Sequence, residues 1–326
     1  MTDYTVTITA RENAELLAAT RDETPLGPTQ VAGQTLASLI SAGTELASGY
    51  QGEHFPSTPG YAAVFRVDET GSQVRQVRVG DYAFCMGPHR SYQRCHENEL
   101  SPLPIGLPPE KAVFARLMAV SMSTLTTTAA RPPAKVVVAG LGPVGLLAAQ
   151  LFSACGYQVL ACDPVAARRE WAARCGVQAV PHFPLDDPLW QGQTSLVVEC
   201  SGHEQAVLDA CRIVAKKGEV VLVGVPWKQR TDISAHELLH AVFHRYVVLR
   251  SGWEWELPRQ PEEFRTGSIR ENLEAALCWI ADNRICLDEL FSIYSPHHCQ
   301  QAYQDLLRGD LPGVAAVFDW TQIDRS

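Results

Sequence analysis

Three glycines, Gly140, Gly142 and Gly145, stand in G-x-G-x-x-G spacing within the run Gly140-Leu141-Gly142-Pro143-Val144-Gly145. The apolar β-branched run Val136 to Val138 precedes them, and Leu146 to Ala154, rich in Leu and Ala, follows. Strand, glycine turn and helix in that order make a cradle for a pyrophosphate. Gly140 permits the tight turn, Gly142 lets the backbone approach the phosphates, and Gly145 lets the helix lie close on the strand. The helix N-terminus adds free N–H groups and a partial positive charge. Asp163 ends the second strand, Gln158 to Cys162, about 20 residues beyond the glycines. A carboxylate there accepts hydrogen bonds from both hydroxyls of an adenine ribose and repels a 2′-phosphate. NAD(H) is therefore favoured over NADP(H). Arg168 and Arg169 follow closely and weaken that preference slightly; Arg168 is either a cover for the adenosine ribose or, with Arg169, part of a solvated helix face.

Such a cradle needs a sheet to hold it. From residue 135 the chain alternates strand and helix patterns. Strands are expected at 136–138, 158–162, 178–180, 196–200, 219–223 and 246–250, with helices at 146–154, 165–175, 204–214 and 234–243. Six β units with helical crossovers predict an α/β, doubly wound parallel sheet. Residues 1 to about 118 read as β-rich, with strands at 4–8, 34–40 and 61–67, another ending near 84, and a short one in 92–103; 110–125 reads as a helix. After about 265 the rhythm stops. Helices at 269–283 and 296–307 and strands at 291–294 and 314–320 are expected to fold back on the first domain.

At 326 residues the chain is comfortable for two domains. A net charge of −9, with no dense basic cluster, argues against nucleic-acid binding. The opening residues lack the basic and apolar regions of a signal peptide. No apolar run approaches the ~18 residues of a membrane span. The ten cysteines form no C-x-x-C pair and are expected to be small buried hydrophobes, not a disulfide or zinc framework. A cytoplasmic protein is the expectation.

Ser41-Ala-Gly-Thr-Glu45, Thr58-Pro-Gly60, Val79-Gly-Asp81, the glycine turn, Val197-Val-Glu-Cys-Ser-Gly202 and Val223-Gly-Val-Pro226 together carry a resemblance to the medium-chain dehydrogenase/reductase superfamily. The resemblance covers nearly the whole chain. It implies a GroES-like β-rich catalytic domain over 1–120, a Rossmann domain over 121–264 and a C-terminal segment, 265–326, returning to the first. It implies substrate between the domains, with Ser201 and Gly202 near the cofactor and nicotinamide held by backbone around Gly224–Val225 and Ser251–Gly252. It also implies a homodimer. Within the superfamily, Ser-Ala-Gly-Thr-Glu and the short middle loop look most like the bacteriochlorophyllide-dehydrogenase branch.

The departures concern metal. Zinc-dependent members carry Cys where this chain has Ala42, and Gly-His-Glu where it has Gly60-Tyr61-Ala62. The stretch Phe114 to Val120 offers no acid or Cys, and the four-cysteine lobe is missing, with Cys95 alone between Gly87 and Leu103. Alanine cannot coordinate a metal. A zinc-independent member is expected, and a side-chain donor must then handle the proton.

By the resemblance, Thr44 hydrogen-bonds the reacting oxygen and relays its proton, and Tyr61 takes the place of a zinc-binding His. A turn hydroxyl and a packed ring are the plain alternatives. Glu45 matches the family's acid behind the metal ligands and is expected to pair with Arg66 or Arg116. His54 could exchange protons with solvent or be an exposed loop histidine. His89 and Tyr92 are candidates for the far side of the pocket, His203 for a helix start, and Trp253 and Trp255 for substrate or subunit contacts. The expected activity is interconversion of a secondary alcohol and a ketone on a small or medium substrate. Reduction of an activated C=C bond, and a non-catalytic NAD-binding sensor, are the competing readings.

Overall fold

A computed structural model describes residues 2–323. The chain divides into two compact units. One takes the described residues up to Arg116, with Leu273–Asn283 and those from Leu287 onward; the other takes Leu117–Asn272 and Arg284–Cys286. The architecture is the expected α/β one.

The first unit is built on sheets. β1 (Asp3–Ala10) and β2 (Asn13–Ala19) form an antiparallel hairpin. The sequence reading missed β2, because the turn before it holds Glu12 at φ 58 instead of a glycine. β3 (Gln30–Leu39) is the central strand of a seven-stranded sheet. It pairs antiparallel with β4 (Ala63–Thr70), and β4 with β5 (Tyr82–Cys85). β6 (Tyr92–His96) also pairs with β3, and β7 (Leu100–Pro102) with β5. After β3 the chain makes one helical turn, Ala42–Thr44, that continues into a wider π turn, Glu45–Tyr50. The chain's last strand lies against β3. Its core gathers Tyr50, Tyr303, Phe318 and Trp320, with the Tyr50 and Tyr303 rings stacked at 5.1 Å.

The helix expected over 110–125 is broken. A short turn, Pro109–Ala112, precedes α1 (Ala115–Thr127).

The second unit carries β8 (Lys135–Ala139), α2 (Pro143–Ala154), β9 (Gln158–Cys162), α3 (Ala166–Arg174), β10 (Ala179–Val180), β11 (Thr194–Glu199), α4 (Glu204–Ile213), β12 (Val214–Leu222), α5 (Ala235–Arg245) and β13 (Val248–Ser251). All neighbours pair parallel, in the order β10-β9-β8-β11-β12-β13. The central strands are buried along their apolar runs (Val136, Val137, Val138; Leu196, Val197, Val198) because helices cover both faces. Tyr246, read as the start of the last strand, instead caps α5 in a left-handed conformation at φ 56.

Beyond these come α6 (Ile269–Ala281), β14 (Phe291–Tyr294), α7 (Cys299–Arg308) and β15 (Ala315–Asp319). β15 pairs antiparallel with β3 and parallel with β14, so the tail completes the first unit's sheet. The ten cysteines are all free; Cys85, Cys162, Cys211 and Cys299 are buried, and Cys278 is exposed. No helix among the described residues is long and apolar enough to cross a membrane.

Candidate active site

In the second unit, the strand order reverses between β8 and β11, and the turn after β8 lies at that switch point. Gly140 has φ +87, a region that favours glycine. A Cβ on Gly145 would sit 1.8 Å from the Gly140 carbonyl oxygen, so a side chain there would push α2 off the turn. A Cβ on Gly142 would meet nothing within 4 Å, which leaves open space in front of the N-terminus of α2. No side chain caps that terminus, and Pro143 begins the helix. Val144 follows, with its carbonyl accepting from the Ser121 hydroxyl. Free N–H groups facing open space suit a phosphate.

Asp163 follows β9 and is 2% exposed. Its Oδ2 accepts the Leu141 N–H at 2.7 Å and its Oδ1 the Val165 N–H at 2.8 Å. The carboxylate therefore already ties the glycine turn to the end of β9. Oδ1 keeps a second acceptor direction for a hydroxyl, whereas Oδ2 also accepts from Arg168. Arg168 Nη1 stands 3.4 Å from Oδ2, and Arg169 donates to the Asp163 carbonyl at 2.7 Å.

Sequence reasoning missed the acid at the end of β11. Glu199 is fully buried, and its carboxylate accepts the Ser201 N–H at 2.8 Å, the Gly202 N–H at 3.1 Å and the Ser201 hydroxyl. Its main-chain oxygen accepts the N–H groups of Val223 and Gly224. One residue thus holds the loop ends of β11 and β12 together. A Cβ on Gly224 would lie 2.3 Å from the Gly202 nitrogen, so the two loops touch backbone to backbone. Burial pushes the Glu199 carboxyl up from its ordinary range, against the lowering effect of these donors. Val225 beside them is half exposed. Ser251 closes β13 and accepts from the Trp253 N–H. His203 starts α4 by accepting the Gln205 N–H. Trp253 and Trp255 are exposed.

In the first unit, the turn after β3 brings hydroxyls together. The Tyr61 hydroxyl donates to Ser41 Oγ and also engages Thr44. Ser41 is a second residue that sequence reasoning did not single out. Burial raises the Tyr61 phenol, and the two hydroxyls lower it by a smaller amount, so Tyr61 keeps its proton at neutral pH. The Arg116 guanidinium lies 4.9 Å above the Tyr61 ring centroid. His54 is exposed in the following loop and takes no part in this cluster.

Glu45 does not pair with Arg66 or Arg116. Arg66 instead binds Asp68 at 2.9 Å. Glu45 is 4% exposed; its Oε1 accepts the Ser41 N–H at 2.8 Å. Its Oε2 accepts the Tyr303 hydroxyl at 2.6 Å and pairs with His89 Nε2 at 3.1 Å. His89 Nδ1 lies 2.8 Å from Ser38 Oγ, which accepts the Trp320 indole N–H at 2.8 Å. The pattern closes when His89 carries its proton on Nε2. His89 is completely buried and braces the interior. Tyr92 lies on β6, with its hydroxyl on Glu69 and Arg21 over its ring. Among the described residues, no three His, Cys, Asp or Glu gather in a way that could hold a metal ion.

The family described as zinc-binding dehydrogenase matches residues 143–252, the core of the second unit. The fold of the galactitol-1-phosphate dehydrogenase of Escherichia coli superposes with a TM-score of 0.81 at 18% identity, over 97% of this chain and 99% of that one. Residues 143–252 are thus similar to zinc-binding dehydrogenases, and the fold is the one that dehydrogenase has. Among curated relatives, the 2-dehydro-3-deoxy-L-galactonate 5-dehydrogenase of Pseudoalteromonas atlantica is 28% identical over 39% of each chain. The L-galactonate-5-dehydrogenase of E. coli is 29% identical over 37% of each. The chain thus spans about two fifths of the length of these curated relatives.

Proposed function

We propose that the protein is an NAD(H)-preferring oxidoreductase that interconverts a secondary alcohol and a ketone without catalytic zinc. The observation that carries the reading is the hydroxyl cluster of Ser41, Thr44 and Tyr61, in which Tyr61 takes the place that the resemblance gives a zinc-binding His. The match to the zinc-binding dehydrogenase family begins at residue 143, beyond Ala42 and Tyr61, and so does not bear on a metal. The dehydrogenase names of the relatives support alcohol–ketone chemistry.

The second unit would hold the cofactor. The open space before Gly142, the uncapped α2 terminus and the remaining acceptor direction of Asp163 Oδ1 fit a pyrophosphate and an adenine ribose. A bound nicotinamide supplies or takes the hydride. The chain's own work is to place a proton. Tyr61, protonated at neutral pH, donates to the oxygen of a ketone as that oxygen gains negative charge. Thr44 supplies a second hydroxyl to the same oxygen or to the phenolate left behind. In the oxidation direction the same groups take the proton back.

A homodimer joined at the edge of the parallel sheet fits this reading. β13 is an edge strand, and Val248 on it and Tyr246 just before it are exposed.

The test supplies NADH with a panel of ketones and enones and follows which carbon gains deuterium from labelled cofactor. Ketones should be reduced at the carbonyl carbon. Tyr61→Phe and Thr44→Ala should each lower kcat/KM by about 100-fold, in the range of a general acid, while NADH affinity holds. Full turnover by both variants would remove the proton-transfer assignment, and transfer to an alkene carbon would replace the reaction class.

A further inference from the structure

We propose that Ser41, braced by Glu45, is the positioning residue that aims the Tyr61 hydroxyl. The inference rests on the oxidoreductase reading for its purpose, but its geometry stands alone.

Ser41 is 7% exposed and is held by its backbone from two sides. Its N–H donates to Glu45 Oε1 at 2.8 Å, and its carbonyl accepts the N–H groups of Thr44 at 3.0 Å and Glu45 at 2.8 Å. With the backbone fixed, the Oγ has few directions left. It faces the Tyr61 hydroxyl, which donates to it. Glu45 cannot swing, because its second oxygen carries Tyr303 and His89, and His89 is tied through Ser38 to Trp320. The approach of Tyr61 is fixed from the same side. Gly60, at φ +99, lies so close to His89 that a Cβ would meet its backbone nitrogen at 2.6 Å. The carboxylate therefore acts on Tyr61 through Ser41 and through His89, and touches the phenol through neither oxygen.

This arrangement has a use in the reaction. When the Tyr61 proton moves to a substrate oxygen, the hydride goes to the neighbouring carbon and a phenolate oxygen remains. Ser41, which accepted from Tyr61, turns its own proton toward that oxygen, as Thr44 can. The Arg116 cation over the ring favours the same charge. No further co-reactant is consumed, and Tyr61 recovers its proton from solvent.

The test is a double-mutant cycle read on Tyr61 itself. The full chain is labelled with carbon-13 at tyrosine Cζ, and the Tyr61 signal is identified by its loss in Tyr61→Phe. At neutral pH this shift senses the hydroxyl's hydrogen bonds. Ser41→Ala should move it. Glu45→Gln keeps the acceptor for the Ser41 N–H but turns an amide against the donors of Tyr303 and His89, so it should move it too. In the Ser41→Ala background the Glu45→Gln displacement should shrink to less than about half. An equal displacement in both backgrounds would show that Glu45 does not act through Ser41 and would overturn the proposal. So would a Tyr61 signal indifferent to Ser41→Ala. If Glu45→Gln does not fold, Tyr303→Phe loosens the same oxygen and takes its place with the same expected outcome. With a ketone that turns over, Ser41→Ala should lower kcat about tenfold and leave KM and NADH affinity in place; unchanged kcat would also overturn it. The shift cycle needs no turnover, so a protein that reduces no carbonyl would remove the oxidoreductase reading and leave the coupling measured.

Discussion

Asp163 illustrates what one side chain can be asked to do. Its position after β9 was legible from spacing, and an adenine ribose is the partner proposed for it. Its second duty was not legible. Both oxygens already accept backbone N–H groups, from Leu141 in the glycine turn and Val165 before α3. Removing it therefore damages the cradle as well as the proposed ribose contact. Asp163→Ala should weaken both NADH and NADPH, with NADH losing more, because a charged hydrogen-bond acceptor is worth about 1.5–3 kcal/mol and only NADH uses it on a free 2′-hydroxyl. Isothermal titration with both cofactors checks this, and an unchanged affinity ratio would withdraw the NAD preference. Thr44 and Tyr61 were readable as candidates because a family pattern marks their places. Ser41 stands in the same motif, yet nothing local says that its hydroxyl meets a tyrosine twenty positions on. From the sequence alone, the attraction of opposite charges pairs Glu45 with an arginine. In the structure a buried histidine and Tyr303, from α7 far along the chain, take that place, and such contacts come from tertiary folding alone.

Among the elements, the parallel strands were the most legible, since burial on both faces demands continuous apolar runs. β2 escaped because its alternation is weak and its turn lacks glycine. The helix over 110–125 was read through a break at Val113 and Phe114, both buried, where packing outranks propensity. The ends of β11 and β12 carry a testable consequence. Glu199 holds both loops, and burial raises its carboxyl above the unfolded value. The native state then binds this proton more tightly than the unfolded chain does. Its contribution is fully present below the unfolded carboxyl range, about pH 4.3, and is lost as pH rises through the higher native value. Glu199→Gln cannot titrate, and its amide faces the Gly202 N–H with a donor, at a cost of about 1–3 kcal/mol. Urea midpoints measured from acid to neutral pH should show wild type ahead by most at low pH, with the gap narrowing as pH rises. A gap that is flat, or that widens with pH, would mean that the carboxylate's donors outweigh its burial.

For the molecule as a whole, the question with the largest consequence is whether a metal takes part. The fold is shared with dehydrogenases whose family description names zinc, and the fold alone cannot decide. The donor set can. Ala42 has no ligand atom. Tyr61 is a phenol that burial keeps protonated, and its oxygen is engaged by Ser41 and Thr44. Both oxygens of Glu45 are occupied by the Ser41 N–H, Tyr303 and His89, and His89 spends both ring nitrogens on Glu45 and Ser38. A zinc ion would have to break several buried hydrogen bonds to gain two ligands, fewer than the three protein ligands a catalytic zinc site uses. Protein purified without added zinc should therefore carry well under one equivalent by elemental analysis. Dialysis against a chelator should leave both the melting temperature and the reduction of a working ketone unchanged. Metal binding that contributed to folding would instead lower the melting temperature on chelation, and a catalytic ion would abolish turnover while leaving the hydroxyl cluster intact. One equivalent of tightly held zinc whose removal stops the reaction would return the chemistry to a metal and reduce Ser41, Thr44 and Tyr61 to its surroundings.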